Sequence, residues 1–88
     1  MSYELDQRVF DARVEYMSAA IAEITMVCNA AESTDEETRE SRTKLAQLAG
    51  ENAQAKFETF LLEVEARQAE ADLNTEIQSV IDETNAPE

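Results

Sequence analysis

The side chains in this chain that could do chemistry are almost all carboxylates. Twenty acidic residues stand against seven basic ones, histidine is absent, and Cys28 is the single thiol. Four of the acids, Glu51, Glu58, Glu65 and Asp72, recur at intervals of seven. On a helix that spacing makes one ribbon with about 10.5 Å between members. Glu63 and Glu70 form a shorter parallel row. Such a ribbon could imitate a nucleic-acid backbone and occupy the cleft of a basic DNA- or RNA-binding protein. It could equally be the solvated flank of a helical bundle, where acids keep the surface wet and oppose misassembly. The spacing is wider than that of successive phosphates on one strand, and Lys56 and Arg67 lie nearby. The solvated flank is therefore the first reading and the mimic the alternative.

Catalysis has little to work with. There is no histidine to act as a base, the single glycine, Gly50, makes no glycine-rich loop, and Cys28 falls on an apolar seam where it reads as a small buried hydrophobe. A carboxylate-bridged metal site in a bundle would use inward-pointing Glu-x-x-His pairs, and a zinc site would want several thiols or imidazoles; neither is written here. The expectation is a non-enzymatic protein with no cofactor and no metal. The net charge is −13, and no base follows Arg67. Direct contact with nucleic acid or anionic lipid is thereby disfavoured, and a basic protein partner fits better.

The elements that carry these residues are helices. Phe10, Val14, Met17, Ile21, Ile24 and Cys28 follow an unbroken 4-3-4-3-4 spacing, the seam of a helix packed lengthwise on other helices. The helix predicted around it runs from about residue 4 to 30, with Glu4, Arg8, Asp11, Glu15, Ser18, Thr25 and Asn29 as its polar stripe. Its second half is apolar over most of its circumference, which predicts the centre of a bundle. Glu32-Ser33-Thr34-Asp35-Glu36-Glu37 is the clearest boundary: Ser33 with Glu36, or Thr34 with Glu37, can form a capping box. A second helix is predicted from about residue 35 to 83, continuous or kinked at Gly50, with a break there into three helices as the alternative, followed by a frayed tail over 84–88 that ends at Pro87.

Phe57, Phe60, Leu61 and Val64 mark one side of the second helix and face the first; Leu62, Leu73, Ile77 and Val80 mark another, with Ile81 adjacent. At 1.5 Å per residue the two helices measure about 40 and 73 Å. In a hairpin, Leu73, Ile77, Val80 and Ile81 then overhang with nothing of the same chain beside them, and an exposed stripe of that kind marks an interface. The start, MSYELDQRVF, has no signal-peptide pattern, and the most apolar run, around 17–31, is too short to span a bilayer. The cytoplasm is the default compartment, with leaderless secretion left open.

Thr43-Lys44-Leu45-Ala46 before Ala49-Gly50-Glu51, with Phe57 after, resembles the approach to the turn of the small secreted helical hairpins of type VII export, the WXG100 proteins. The likeness covers about fifteen residues; the defining Trp is replaced, and Glu51 or Asn52 stands for the second Gly of the turn. Type III needle subunits share the size and hairpin plan, without their proline-containing turn. No residue roles follow from either. The fold expected is all-α: one domain, an elongated antiparallel helical hairpin that completes its bundle by oligomerising. The function expected is structural, assembly, adaptor or chaperone-like, through helix–helix contacts, with a second copy or a helical or basic protein as partner; by analogy a bacterial or phage setting suits it. The alternatives are the acidic mimic and a WXG100-like secreted hairpin.

Overall fold

A computed structural model describes residues 2–85 of the chain. It holds two helices, α1 (Ser2–Ala31) and α2 (Glu36–Thr84), folded as an antiparallel hairpin measuring 81 × 15 × 14 Å. Ala86, Pro87 and Glu88, where the tail was expected to end, lie outside the described residues. α2 runs unbroken through Gly50. The segment that resembles a WXG100 turn is therefore helix interior, and that resemblance has no turn to rest on.

The reversal occupies residues 32–35. The expected capping boxes are not what closes it. Asp35, in extended backbone at φ −116 and ψ 134, is the N-cap of α2 and accepts the backbone N–H of Thr38 at 3.0 Å and also the Thr38 hydroxyl. These bonds favour the charged form and hold the Asp35 carboxyl below its ordinary value. Ser33 instead turns back: its buried hydroxyl donates to the Asn29 carbonyl at 2.9 Å. The stretch from Thr38 to Lys44 supplies a clasp. Arg39 donates to the Ser33 carbonyl at 2.8 Å, and Arg42 to the Asn29 carbonyl and the Ser33 hydroxyl, both at 3.1 Å. α1 has no base in its own last turn. The cations that its C-terminal carbonyls favour come from the neighbouring helix.

The face of α1 that meets α2 is Leu5, Val9, Ala12, Tyr16, Ala19, Glu23, Met26 and Ala30, all buried or half-buried. This is a second heptad seam, about 150° around the helix from Phe10–Cys28. The seam read from sequence is thus not the core of the hairpin: Phe10 is 56% exposed, Ile21 and Ile24 are each 62% exposed, and Val14, Met17 and Cys28 also face outward. The physical reason lies in α2. Its small residues, Ala46, Ala49, Gly50 and Ala53, sit on the side toward α1, where Ala19 and Ala30 allow close approach. Below them Tyr16 stacks on Phe60 and tilts against Phe57, with ring centroids 6.4 and 5.1 Å away. Arg8–Glu63 at 2.8 Å, Arg67–Asp6 at 3.5 Å and Lys56–Glu15 at 3.7 Å bracket the same face. Exposed pairs of this sort are worth only about 0.2–1 kcal/mol each, so they select the face and register more than they hold it. Phe57, Phe60 and Val64 lie half-buried toward α1 as expected, whereas Leu61, expected beside them, is exposed.

Among the described residues no large side chain is fully buried. The chain exposes 6938 Å² for a mass of 9.8 kDa, where a compact monomer of that mass exposes roughly 5,200 Å². The excess, roughly 1,700 Å², is well above the about 800 Å² that one partner gives to a standard protein–protein interface.

Candidate functional site: the uncovered apolar faces

Two apolar stripes lie uncovered on the hairpin. The first is Phe10, Val14, Met17, Ile21, Ile24 and Cys28 on the outer side of α1, with Val27 at its edge. Across one flank of the hairpin it adjoins Phe57, Leu61 and Val64, because Ala20, Gly50 and Phe57 line a shared groove there and Ala20 neighbours Met17 and Ile24 at helical spacing. From Val14 to Ala31 the acids are Glu15 and Glu23, with no base between them. Glu15 is turned to Lys56 and Glu23 to Gly50. The stripe itself carries no charge over its last four turns.

The second stripe belongs to α2 and has two parts. Beside α1 it is Leu45, Leu48, Ala55, Leu62, Ala66 and Ala69, interrupted by Asn52 and Thr59; it borders the opposite flank, where Arg8, Glu15 and Thr59 line another groove. Past the start of α1 it continues as the overhang. The contacts Arg8–Glu63, Arg67–Asp6 and Glu23–Gly50 put residue 2 level with about residue 70. About fourteen residues of α2, or about 21 Å, then run on alone. Leu73, Ile77, Val80 and Ile81 line a shallow open groove there with Glu76, and all four are exposed.

The acidic ribbon is real as geometry. Glu51, Glu58, Glu65 and Asp72 are all exposed along one outward line of α2, facing away from α1, with Asp72 accepting from the Gln68 amide at 2.9 Å. Glu63 is not part of a second acidic row on that surface. It turns inward, its side chain 18% exposed, with Oε1 on Arg8 and Oε2 buried without a hydrogen-bond partner. Cys28, expected to be buried, is exposed because its seam faces outward. Among the described residues no helix is long and apolar enough to cross a membrane, and no three metal-ligating side chains come together.

What the spacing of the larger apolar residues concealed is the alanine-rich seam of α1. Its signal was present in the repeat of Val9, Tyr16, Glu23 and Ala30 every seven residues, interleaved with Leu5, Ala12, Ala19 and Met26. No protein-family model matches the chain, and neither curated proteins nor solved structures give a match. The uncovered faces are what bears on function.

Proposed function

We propose that this is a non-enzymatic assembly or adaptor protein that works through helix–helix contacts, and that its first contact is a second copy of itself on the Phe10–Cys28 stripe. One observation carries this: the buried apolar residues of the hairpin are Val9 and the alanines Ala12, Ala19, Ala30, Ala46 and Ala53, while the large, regularly spaced apolar side chains from Phe10 to Ile24 stay uncovered on α1. Those side chains are free of charge over most of the stripe, so two copies of a chain at −13 can meet there without bringing acids together. A two-fold pairing of α1 with α1 makes the patch self-complementary and turns two thin hairpins into a four-helix arrangement with a core. The acidic ribbon, on the outward line of α2, stays in solvent and limits stacking beyond that assembly.

The test is mass in solution. Sedimentation equilibrium at micromolar concentration is expected to give a multiple of 9.8 kDa, and Met17→Asp with Ile21→Asp is expected to give the single-chain mass with helix content retained. A wild-type chain that is a strict monomer with a cooperative melt refutes the proposal.

A further inference from the structure

The overhang poses a different question, because part of its stripe shares the register of an interface already in use. Along α2 the seam covered by α1 passes through Ala46, Ala53, Phe60 and Glu63; the same heptad register then crosses Arg67, Glu70 and Asn74 and reaches Ile77 and Ile81 after α1 has ended. Leu73 and Val80 widen it on one side. A helix laid there would occupy the line that α1 would follow if it were longer, and about fourteen residues of α2 are free to receive it.

Charge decides whose helix it is. Glu76 and Glu83, seven residues apart, border the stripe on one side, and Asp82 stands beyond Gln78 on the other; no base follows Arg67. Where α1 does cover α2, basic and acidic side chains meet across the seam, as in Arg8–Glu63 and Arg67–Asp6. The overhang has acids to offer and no cation to return. A second overhang laid antiparallel on the first would set carboxylates against carboxylates beside a dehydrated stripe, which is repulsive. Self-pairing, acceptable on the uncharged stripe of α1, is penalised here.

We infer that Leu73, Ile77, Val80 and Ile81 form a docking site for an amphipathic helix of another protein, with Lys or Arg along the edges of its apolar face. The apolar residues supply the attraction and the acids select the partner and speed its arrival. This rests on the helix–helix reading of the protein but not on the α1 stripe, so the two can fail separately.

The probe is a labelled synthetic helix of about sixteen residues, with a Leu/Ala face flanked by Lys, compared with the same face flanked by Glu. Binding to the full chain is followed by fluorescence anisotropy at low and high salt. The Lys-flanked helix is expected to bind at least tenfold more tightly than the Glu-flanked one, and to weaken as salt rises. Leu73→Asp with Ile77→Asp should cost tenfold or more, while Met17→Asp with Ile21→Asp, which tests self-association, should leave binding unchanged. Glu76→Lys with Glu83→Lys keeps the apolar stripe and should invert the preference between the two helices. Equal binding of the Lys-flanked helix to the Leu73→Asp, Ile77→Asp chain, equal binding of both helices, or no binding overturns the inference. So does a fall in the oligomer mass of the Leu73→Asp, Ile77→Asp chain, which would make a second copy the occupant.

Discussion

Replacing Gly50 by alanine tests the close packing of the hairpin more sharply than any truncation. Glycine inside a helix costs about 1 kcal/mol relative to alanine, and it also leaves the unfolded chain more freedom to lose. A methyl group at Gly50 would meet Glu23: its Oε2 at 2.8 Å, its Cδ at 3.3 Å and its Cγ at 3.9 Å. The conflict is with the far end of a flexible side chain and not with backbone. Glu23 also borders the open groove with Gln54 and Phe57, so its carboxylate can swing aside at a cost below that of an off-rotamer torsion, about 0.5 kcal/mol. The net expectation is a gain of about 0.5–1 kcal/mol, which for a domain this small raises Tm by about 2–8 °C. The assay is thermal unfolding followed by circular dichroism at one fixed protein concentration, since association shifts Tm. Glu23→Ala and the double variant complete a cycle. Gly50→Ala should gain slightly more when Glu23 is gone, with a coupling under about 0.5 kcal/mol. A fall in Tm in both backgrounds refutes the reasoning, because it would mean that α2 does not run straight through Gly50.

Three other outcomes follow from the same geometry. Ala53→Leu forces the helices apart where they pack on alanine and is expected to cost about 1–3 kcal/mol, whereas Leu48→Ala on the exposed side should change stability by no more than about 0.5 kcal/mol; chemical denaturation distinguishes them. The exposed Cys28 thiol should react quickly with a thiol reagent in dilute protein and slow as concentration rises, and a rate independent of concentration contradicts self-association through α1. Asp35 is held below its ordinary carboxyl value by the Thr38 bonds. Its contribution is therefore whole above that ordinary value and is lost as pH falls through the depressed folded one. The Tm advantage of wild type over Asp35→Ala should be constant at neutral pH and shrink in acid, and an advantage that stays flat into strong acid removes the role given to this cap.

The helices, their approximate ends and their hairpin arrangement were legible because the polar, acidic run at 32–37, the scarcity of glycine and proline, and regular apolar spacing are local signals. Which face of α1 turns inward was not. Two seams with the same 4-3 rhythm run along that helix, and bulk favoured Phe10, Ile21 and Ile24 over Ala12, Ala19 and Ala30. The deciding information was cross-helix: the matching small residues from Ala46 to Ala53, the partners of Tyr16, and opposite charges 55 and 61 residues apart in the chain. The roles of Arg39 and Arg42 were hidden for the same reason, since their spacing along α2 says nothing of α1 while their guanidinium groups reach its end. The overhang was legible from length alone, because a 30-residue helix cannot cover a 49-residue one.

The arginine clasp at the turn also orders events in time. Its contacts join residues as few as 6 and 13 apart, whereas Arg8–Glu63 and Arg67–Asp6 close loops of 55 and 61. Loop closure becomes more costly with every step away from the turn, so the order expected is closure from Arg39 and Arg42 toward Tyr3, with opening in reverse. Amide exchange should therefore be slowest near Ala30 and Ala46 and fastest at the N-terminus of α1.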